Sequence, residues 1–382
     1  MVCGKIHTLD PQFGCFIIPP NITQKILENG SEKQKKDAER TLQSIISIRG
    51  RRLSLLHQPL IGQSLLSRVL QTQLDRLIYD ANGESSLPGD LKRREGQGTT
   101  RENDVDRAYD FSGDAYRLFE EAFERNSIDD SGMTLVSTVN YVEPGEEFYN
   151  NASWNGEQMI YGVPDPSIFK TFLLRTVAAH EMGHGVVQYE GGLRYQKDTG
   201  ALNEHFADVF GILAEQINRN EDAGQSKWLI GEGIWADNIN GKSLRSMSDP
   251  GTAYDDPLIG KDRQPKHMDS YVELPVDPFN DWGGVHINSG IPNHAFYKAA
   301  KIIGGPAWSS AGVVWFAALK ILPGKPSTTT FQDLANTTNE IASRLFNDDS
   351  KRKAVYNAWK DVGVEPHVME GKEAINLLVK AR

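Results

Sequence analysis

Residues 180–184 read His-Glu-Met-Gly-His, inside the stretch SIFKTFLLRTVAAHEMGHGVVQYEG, whose apolar residues recur at i, i+3 and i+4. That period predicts a long helix, stopped by Gly191-Gly192. On a helix, residues four apart share a face, so the His180 and His184 rings can reach a single ion. Zinc accepts two neutral imidazoles and a carboxylate and leaves a fourth position for water when the site is catalytic. Glu181 lies about 100° round the helix from His180, close enough to take a proton from that water without ligating the metal.

Such a site needs a third ligand from a second rigid element. Glu204 supplies it, 20 positions after His184 in GALNEHFAD, on a helix predicted from about Ala201 to Asn218. One turn further on the same face stands Asp208, placed to accept the remaining ring N–H of a ligating histidine and so fix its tautomer. An isolated HExxH pattern is weak evidence of a metal, and two i, i+4 pairs on consecutive helices are much stronger. His205 points about 100° away from Glu204 and reads as structural.

The rest of the chain narrows the class. Its 382 residues suffice for two structural domains and a short extra segment. A formal charge of -10 argues against a nucleic-acid binder, and no run of 18 apolar residues occurs. The start, MVCGKIHTLDPQFGCFIIPP, lacks a secretory pattern, so the expectation is export by a route without a recognisable signal, or a cytoplasmic protein. Two cysteines, Cys3 and Cys15, make no disulfide framework.

Residues 1–65 read as a separate unit, with two amphipathic helices between Asn21 and Ile48 behind Pro19-Pro20 and broken at Asn29-Gly30. RGRR at 49–52 and the polar stretch Asp80 to Asp104 read as exposed connections. From Met133 to Gly162 the pattern is strand-like, in TLVSTVNYV and QMIYG. The C-terminal third is helical in period. The fold class is α+β: a β-rich lobe over 66–192 ending in the HExxH helix, then a helical lobe over 193–382.

With these motifs in order, the chain resembles the thermolysin family of metallopeptidases, in its protealysin-like branch with a short prosegment. The resemblance runs from about Leu77 to Arg382 and rests on NNASWNGEQMIYG (150–162), HEMGH, GLRYQKDTGALNEHFADVFG, LRSMSDP (244–250) and DWGGVHINSGIPN (281–293). It implies a two-lobed metalloendopeptidase with one catalytic zinc on His180, His184 and Glu204 and with Glu181 as base. It further implies that His286, oriented by Asp281, and Tyr195 stabilise the oxyanion, and that Arg245 holds a substrate carbonyl. Asn151 and the Ala152 backbone would grip the peptide as an added strand. Val177, Ile230 and Leu244 match an apolar pocket, which implies cleavage on the amino side of bulky hydrophobic residues.

Departures carry their own expectations. Glu215 and Glu232 match calcium-ligand positions, but Thr176, Lys227 and Gly233 stand where carboxylates would be expected, so at most one weakly held calcium is predicted there. Ser153 replaces an aromatic beside Asn151 and should widen the cleft. The resemblance also implies that residues 1–65 are an inhibitory propeptide of a protein that takes peptide substrates; a monomer is expected and, from the charge and the lack of long apolar runs, no nucleic-acid or membrane partner. A thiol of Cys3 or Cys15 could silence the zinc, although Cys15 reads more simply as a small hydrophobe beside Phe16. A zinc aminopeptidase is the competing enzyme class; the His184–Glu204 spacing and GGVHINSG favour the endopeptidase. A non-catalytic relative is disfavoured because the base and all three ligands are present.

Overall fold

A computed structural model describes residues 15–55 (side chains through 43), 74–190, 192–322 and 327–367. Cys3, Gly191 and the proposed boundary near residue 65 lie outside them. The chain opens with a short strand, β1 (Cys15–Phe16), and two helices, α1 (Pro20–Asn29) and α2 (Glu32–Leu55). Proline sits at the first turn of α1, where its missing N–H costs nothing, and Ile22 and Ile26 form the buried stripe. The break at Gly30 falls where the sequence places it. The RGRR stretch does not: it continues α2 rather than forming a connection.

The β-rich lobe holds β2 (Arg76–Asp80), β3 (Asp90–Arg94), α3 (Asn103–Phe123), β4 (Leu135–Tyr141), β5 (Ala152–Trp154) and β6 (Met159–Gly162). With β1 they give a six-stranded sheet ordered β1-β5-β6-β4-β2-β3. The N-terminal segment thus supplies the outermost strand, antiparallel to β5 with Cys15 opposite Trp154 and Phe16 opposite Ser153. Strand β3 corrects the reading of 80–104 as wholly a connection. Its charged sequence DLKRR hides the strand, because Arg93 is buried against Asp106 (2.9 Å) and over the Tyr109 ring (3.6 Å).

Two central helices follow, α4 (Arg175–Glu190) and α5 (Lys197–Arg219). The first begins eight residues later than its periodicity suggests, since Ser167 is non-helical and helix starts only at Arg175. The intervening residues are pinned elsewhere: Phe169 bridges Trp235, and Lys170 N donates to Ile234 O at 2.8 Å. From Thr176 to Gln188 the helix is buried all round. At Gly183 a Cβ would stand 3.0 Å from Ala207 Cα, so glycine here lets α4 and α5 cross closely.

Two short hairpins come next: β7 (Leu229–Ile230) with β8 (Arg245–Ser246), and β9 (Asp255–Asp256) with β10 (Gly260–Lys261). The helical lobe is completed by α6 (Asp281–Asn288), α7 (Gly290–Ile303), α8 (Ala311–Ile321), α9 (Phe331–Leu345) and α10 (Asp349–Lys360). The core runs continuously from the sheet through α3, α4 and α5 into these helices.

Candidate metal centre and peptide cleft

Helices α4 and α5 bring His180, His184 and Glu204 together with ligand atoms all within 4.8 Å of one another, the one such metal-holding group among the described residues. All three are buried. His180 Nδ1 lies 2.8 Å from Asp208 Oδ1, and His184 Nδ1 lies 2.7 Å from the Asn203 side-chain oxygen. Asn203 is turned that way because its amide nitrogen donates to Leu193 O at 3.1 Å. Both Nδ1 atoms therefore carry the hydrogen, and both Nε2 atoms present lone pairs.

Those two Nε2 atoms are only 3.0 Å apart, with Glu204 oxygens at 3.5 and 3.4 Å. Two imidazole lone pairs and a carboxylate facing one another repel unless a cation sits between them. Glu204 Oε2 and Glu181 Oε1 are also buried without a hydrogen-bond partner. The donor set of two nitrogens and one carboxylate oxygen fits zinc.

Around this triad the other motifs converge. Glu181 Oε2 accepts from Trp154 N at 2.7 Å, so β5 orients it. Burial, then the charge of Glu204, pushes its carboxyl well above the usual range; a dication beside it opposes that shift. Tyr195 donates a short hydrogen bond to Glu204 and lies 3.2 Å from His286 Nε2.

Asp281 holds His286 twice, accepting from its backbone N (2.8 Å) and from Nδ1 (2.6 Å). This clasp exists because Asp281, Trp282, Gly283 and Gly284 all have positive φ before the chain turns right-handed. Left-handed backbone costs roughly 1–2 kcal/mol at each non-glycine residue, which the glycines halve. Burial works against the charged imidazole, but Asp281 and Glu204 outweigh it and raise His286 to about 9. Both its nitrogens are donors at neutral pH.

Arg245 is buried and bound twice by Asp208, at 2.8 and 2.7 Å. Asp208 also accepts from Asn293 at 2.9 Å, so one carboxylate ties a histidine ligand to the arginine. Val177, Ile230 and Leu244 are buried in the same apolar cluster as Ile17 and Ile18. Ser153 faces Phe16 across the strand pair, so the small residue makes room for a large one. His205 is structural, bonded to Asn293 (2.7 Å) and accepting from Trp315 (2.9 Å).

Glu215 and Glu232 are met by cationic side chains: Arg175 and Arg219 bind Glu215, and Lys227 binds Glu232 at 2.8 Å. Arg175 also takes Asp114 at 2.6 Å, so its guanidinium stands as the cation between Asp114 and Glu215. Cys15 is buried in β1 beside Tyr195 and Trp282 and is not among the metal-holding group. Asn203 and the Trp154 N–H are site features the sequence reading missed. Asn203 directly precedes Glu204, and a polar residue at that point of a buried helix was the available signal.

The description "thermolysin metallopeptidase, catalytic domain" matches residues 71–188, and "thermolysin metallopeptidase, alpha-helical domain" matches 191–364. An extracellular metalloprotease of Pectobacterium carotovorum subsp. carotovorum is 42% identical, over 92% of this chain and 96% of its own. Protease PrtS of a Photorhabdus strain is 41% identical, over 91% and 92%. The solved precursor of protealysin from Serratia proteamaculans superposes with a TM-score of 0.77 at 42% identity, covering 92% of this chain and 99% of that one. The chain therefore belongs to the thermolysin family of metallopeptidases, as a protealysin-like zinc metalloendopeptidase made as a precursor with a propeptide.

Proposed function

We propose that the enzyme cuts peptides on the amino side of bulky hydrophobic residues and that its own N-terminal segment, up to about residue 65, inhibits it until removed. The observation that carries this is the segment itself. Residues 16–18 run through the cleft, and their backbone takes up the groups expected to bind substrate. The division into lobes at about residue 192 agrees with where the two family descriptions meet. An extracellular place of work accords with the name of the Pectobacterium relative, and no described helix is long and apolar enough to cross a membrane.

Zinc on His180, His184 and Glu204 supplies the Lewis acidity that makes water nucleophilic at neutral pH. The chain's own groups do the rest. Glu181, held by Trp154 N, takes the proton of the attacking water and delivers it to the leaving nitrogen. His286, charged by Asp281, and Tyr195 donate to the carbonyl oxygen as it gains charge. Arg245 holds the next carbonyl, and Asn151 with Ala152 O hold backbone N–H groups, which needs no side-chain recognition. Specificity then falls to the Val177–Ile230–Leu244 pocket.

Digestion of a peptide library tests this, with and without chelator, using activated wild type and Glu181→Ala. Cuts before Leu, Ile, Phe or Val that vanish with chelator and with Glu181→Ala are expected. Chelator-insensitive cutting would overturn the mechanism, and cutting after basic residues would overturn the pocket.

A further inference from the structure

The N-terminal segment lies in the cleft in a defined register. Phe16 O accepts from His286 Nε2 at 2.8 Å. Ile17 N donates to Ala152 O at 3.1 Å, and Ile17 O accepts from Arg245 Nη1 at 3.2 Å. Ile18 N donates to Asn151 Oδ1 at 3.0 Å. The strand is antiparallel to β5, with Phe16 opposite Ser153.

This order has chemical content. His286 donates beside the metal group, its Nδ1 taken by Asp281 and its Nε2 aimed at Phe16 O, so the carbonyl it binds is the one in position to gain negative charge. That carbonyl belongs to Phe16. The grip on the following N–H and carbonyl falls on Ile17, whose apolar side chain is fully buried in the main core. The bond between the two bound groups, Phe16–Ile17, lies on the amino side of a bulky hydrophobic residue. A segment serving only as a plug needs neither this direction nor this register.

We infer that the Phe16–Ile17 peptide bond is a processing site of this chain, cut in cis by its own metal centre. The inference rests on the proposed specificity and residue roles. In the step, water oxygen adds to the Phe16 carbonyl carbon while Glu181 takes a water proton. The C–N bond to Ile17 breaks, Glu181 returns the proton to the Ile17 nitrogen, the second water proton follows it there, and a carboxylate and an ammonium group result. Water is the one co-reactant. The new N-terminal Ile17 stays tied through Arg245 and Asn151, and α1 stays anchored by Asn29 Nδ2 to Pro257 O at 2.9 Å. The cut therefore weakens inhibition without ending it, and a later cut beyond α2 completes release.

The test uses the full-length, zinc-loaded chain as wild type, Glu181→Gln and Ile17→Ala. Hydrogen exchange on Glu181→Gln reads the register without any turnover: the Ile17 and Ile18 amides should be as protected as those of β6. Mass spectrometry of the wild type should find a fragment ending at Phe16 and a chain beginning at Ile17. Their first-order rate should not change on dilution, should vanish in Glu181→Gln, and should fall by about a hundredfold in Ile17→Ala, in line with the buried methyl and methylene groups removed. Rapid exchange at Ile17 and Ile18, or a rate proportional to concentration, would overturn the inference. So would an intact Phe16–Ile17 bond in a sample that cuts an added hydrophobic peptide. A sample of verified zinc content that cuts neither would take the endopeptidase reading down as well.

Discussion

Asp208 gives the sharpest test of how the site is held together. It is buried and carries four hydrogen bonds: from His180 Nδ1, from two nitrogens of Arg245, and from Asn293. Burial alone would raise its carboxyl, but Arg245 and then His180 hold it well below the usual carboxylate range. A depressed folded value means that its stabilisation is present above the ordinary carboxylate range and is lost as acid protonates it. Asp208→Asn keeps the shape and removes the charge, leaving the Arg245 guanidinium buried and uncompensated. Breaking such a pair from one side costs about 3–5 kcal/mol, a large share of the roughly 5–15 kcal/mol that holds a domain folded. Separately, His180 loses the carboxylate that fixes its tautomer, which should weaken zinc binding by about 10–100-fold. Adding Arg245→Met separates the two effects. The double variant should recover most of the stability and none of the zinc affinity. Denaturant unfolding of metal-free protein reads the first quantity, and competition with a calibrated chelator reads the second. If Asp208→Asn unfolds within about 1 kcal/mol of wild type, or if the double variant regains zinc affinity, the account of Asp208 as a tie between ligand and arginine is wrong.

Three further outcomes follow from other contacts. Arg175→Gln leaves Asp114 and Glu215 facing each other with only Arg219 beside Glu215 and should cost about 1–3 kcal/mol. Millimolar calcium should restore part of that in the variant's melting temperature and leave wild type unmoved; a calcium-dependent rise in wild type would refute the replacement. Burial against α2 raises Glu146 to about 7, with Arg40 opposing and Asp37 and Glu143 adding to the rise; Lys36 also lies near. Because the docked value exceeds the ordinary glutamate value, docking is favoured by protonation, and this part of the prosegment's hold should weaken from about pH 4.5 to pH 7. Dissociation rates across pH 5–8 should flatten in Glu146→Gln, and an unchanged slope would exclude this group. Cys15→Ala removes one buried sulfur and should loosen the prosegment by about 1 kcal/mol at most; full loss of latency would instead place the thiol at the metal.

What could be read from the residues alone follows physical constraint. Two histidines one turn apart on an apolar helix, with a carboxylate pair on the next, have few uses other than holding a cation, and α4 and α5 deliver that geometry. The Asn29-Gly30 break and the C-terminal helices were legible for the same reason, since local chemistry agrees with the final packing. Contacts made at a distance were not. Nothing local in DLKRR announces a strand, because Arg93 is accommodated by Tyr109 and Asp106 from a later helix. The delayed start of α4 depends on Trp235 capturing Phe169, 66 positions away in sequence. Nothing around Glu215 in sequence announces that Arg175, on another helix, reaches it.

The placement of β1 has a consequence for the enzyme once its prosegment has gone. Sheet order ends at β5 when β1 is removed, leaving a short row of backbone donors and acceptors facing solvent at the catalytic zinc. Bare sheet margins recruit any extended chain that meets them. The activated protease thus carries its adhesive rim and its blade in the same place, and in concentrated solution the nearest extended chains to reach that rim are loops of its neighbours.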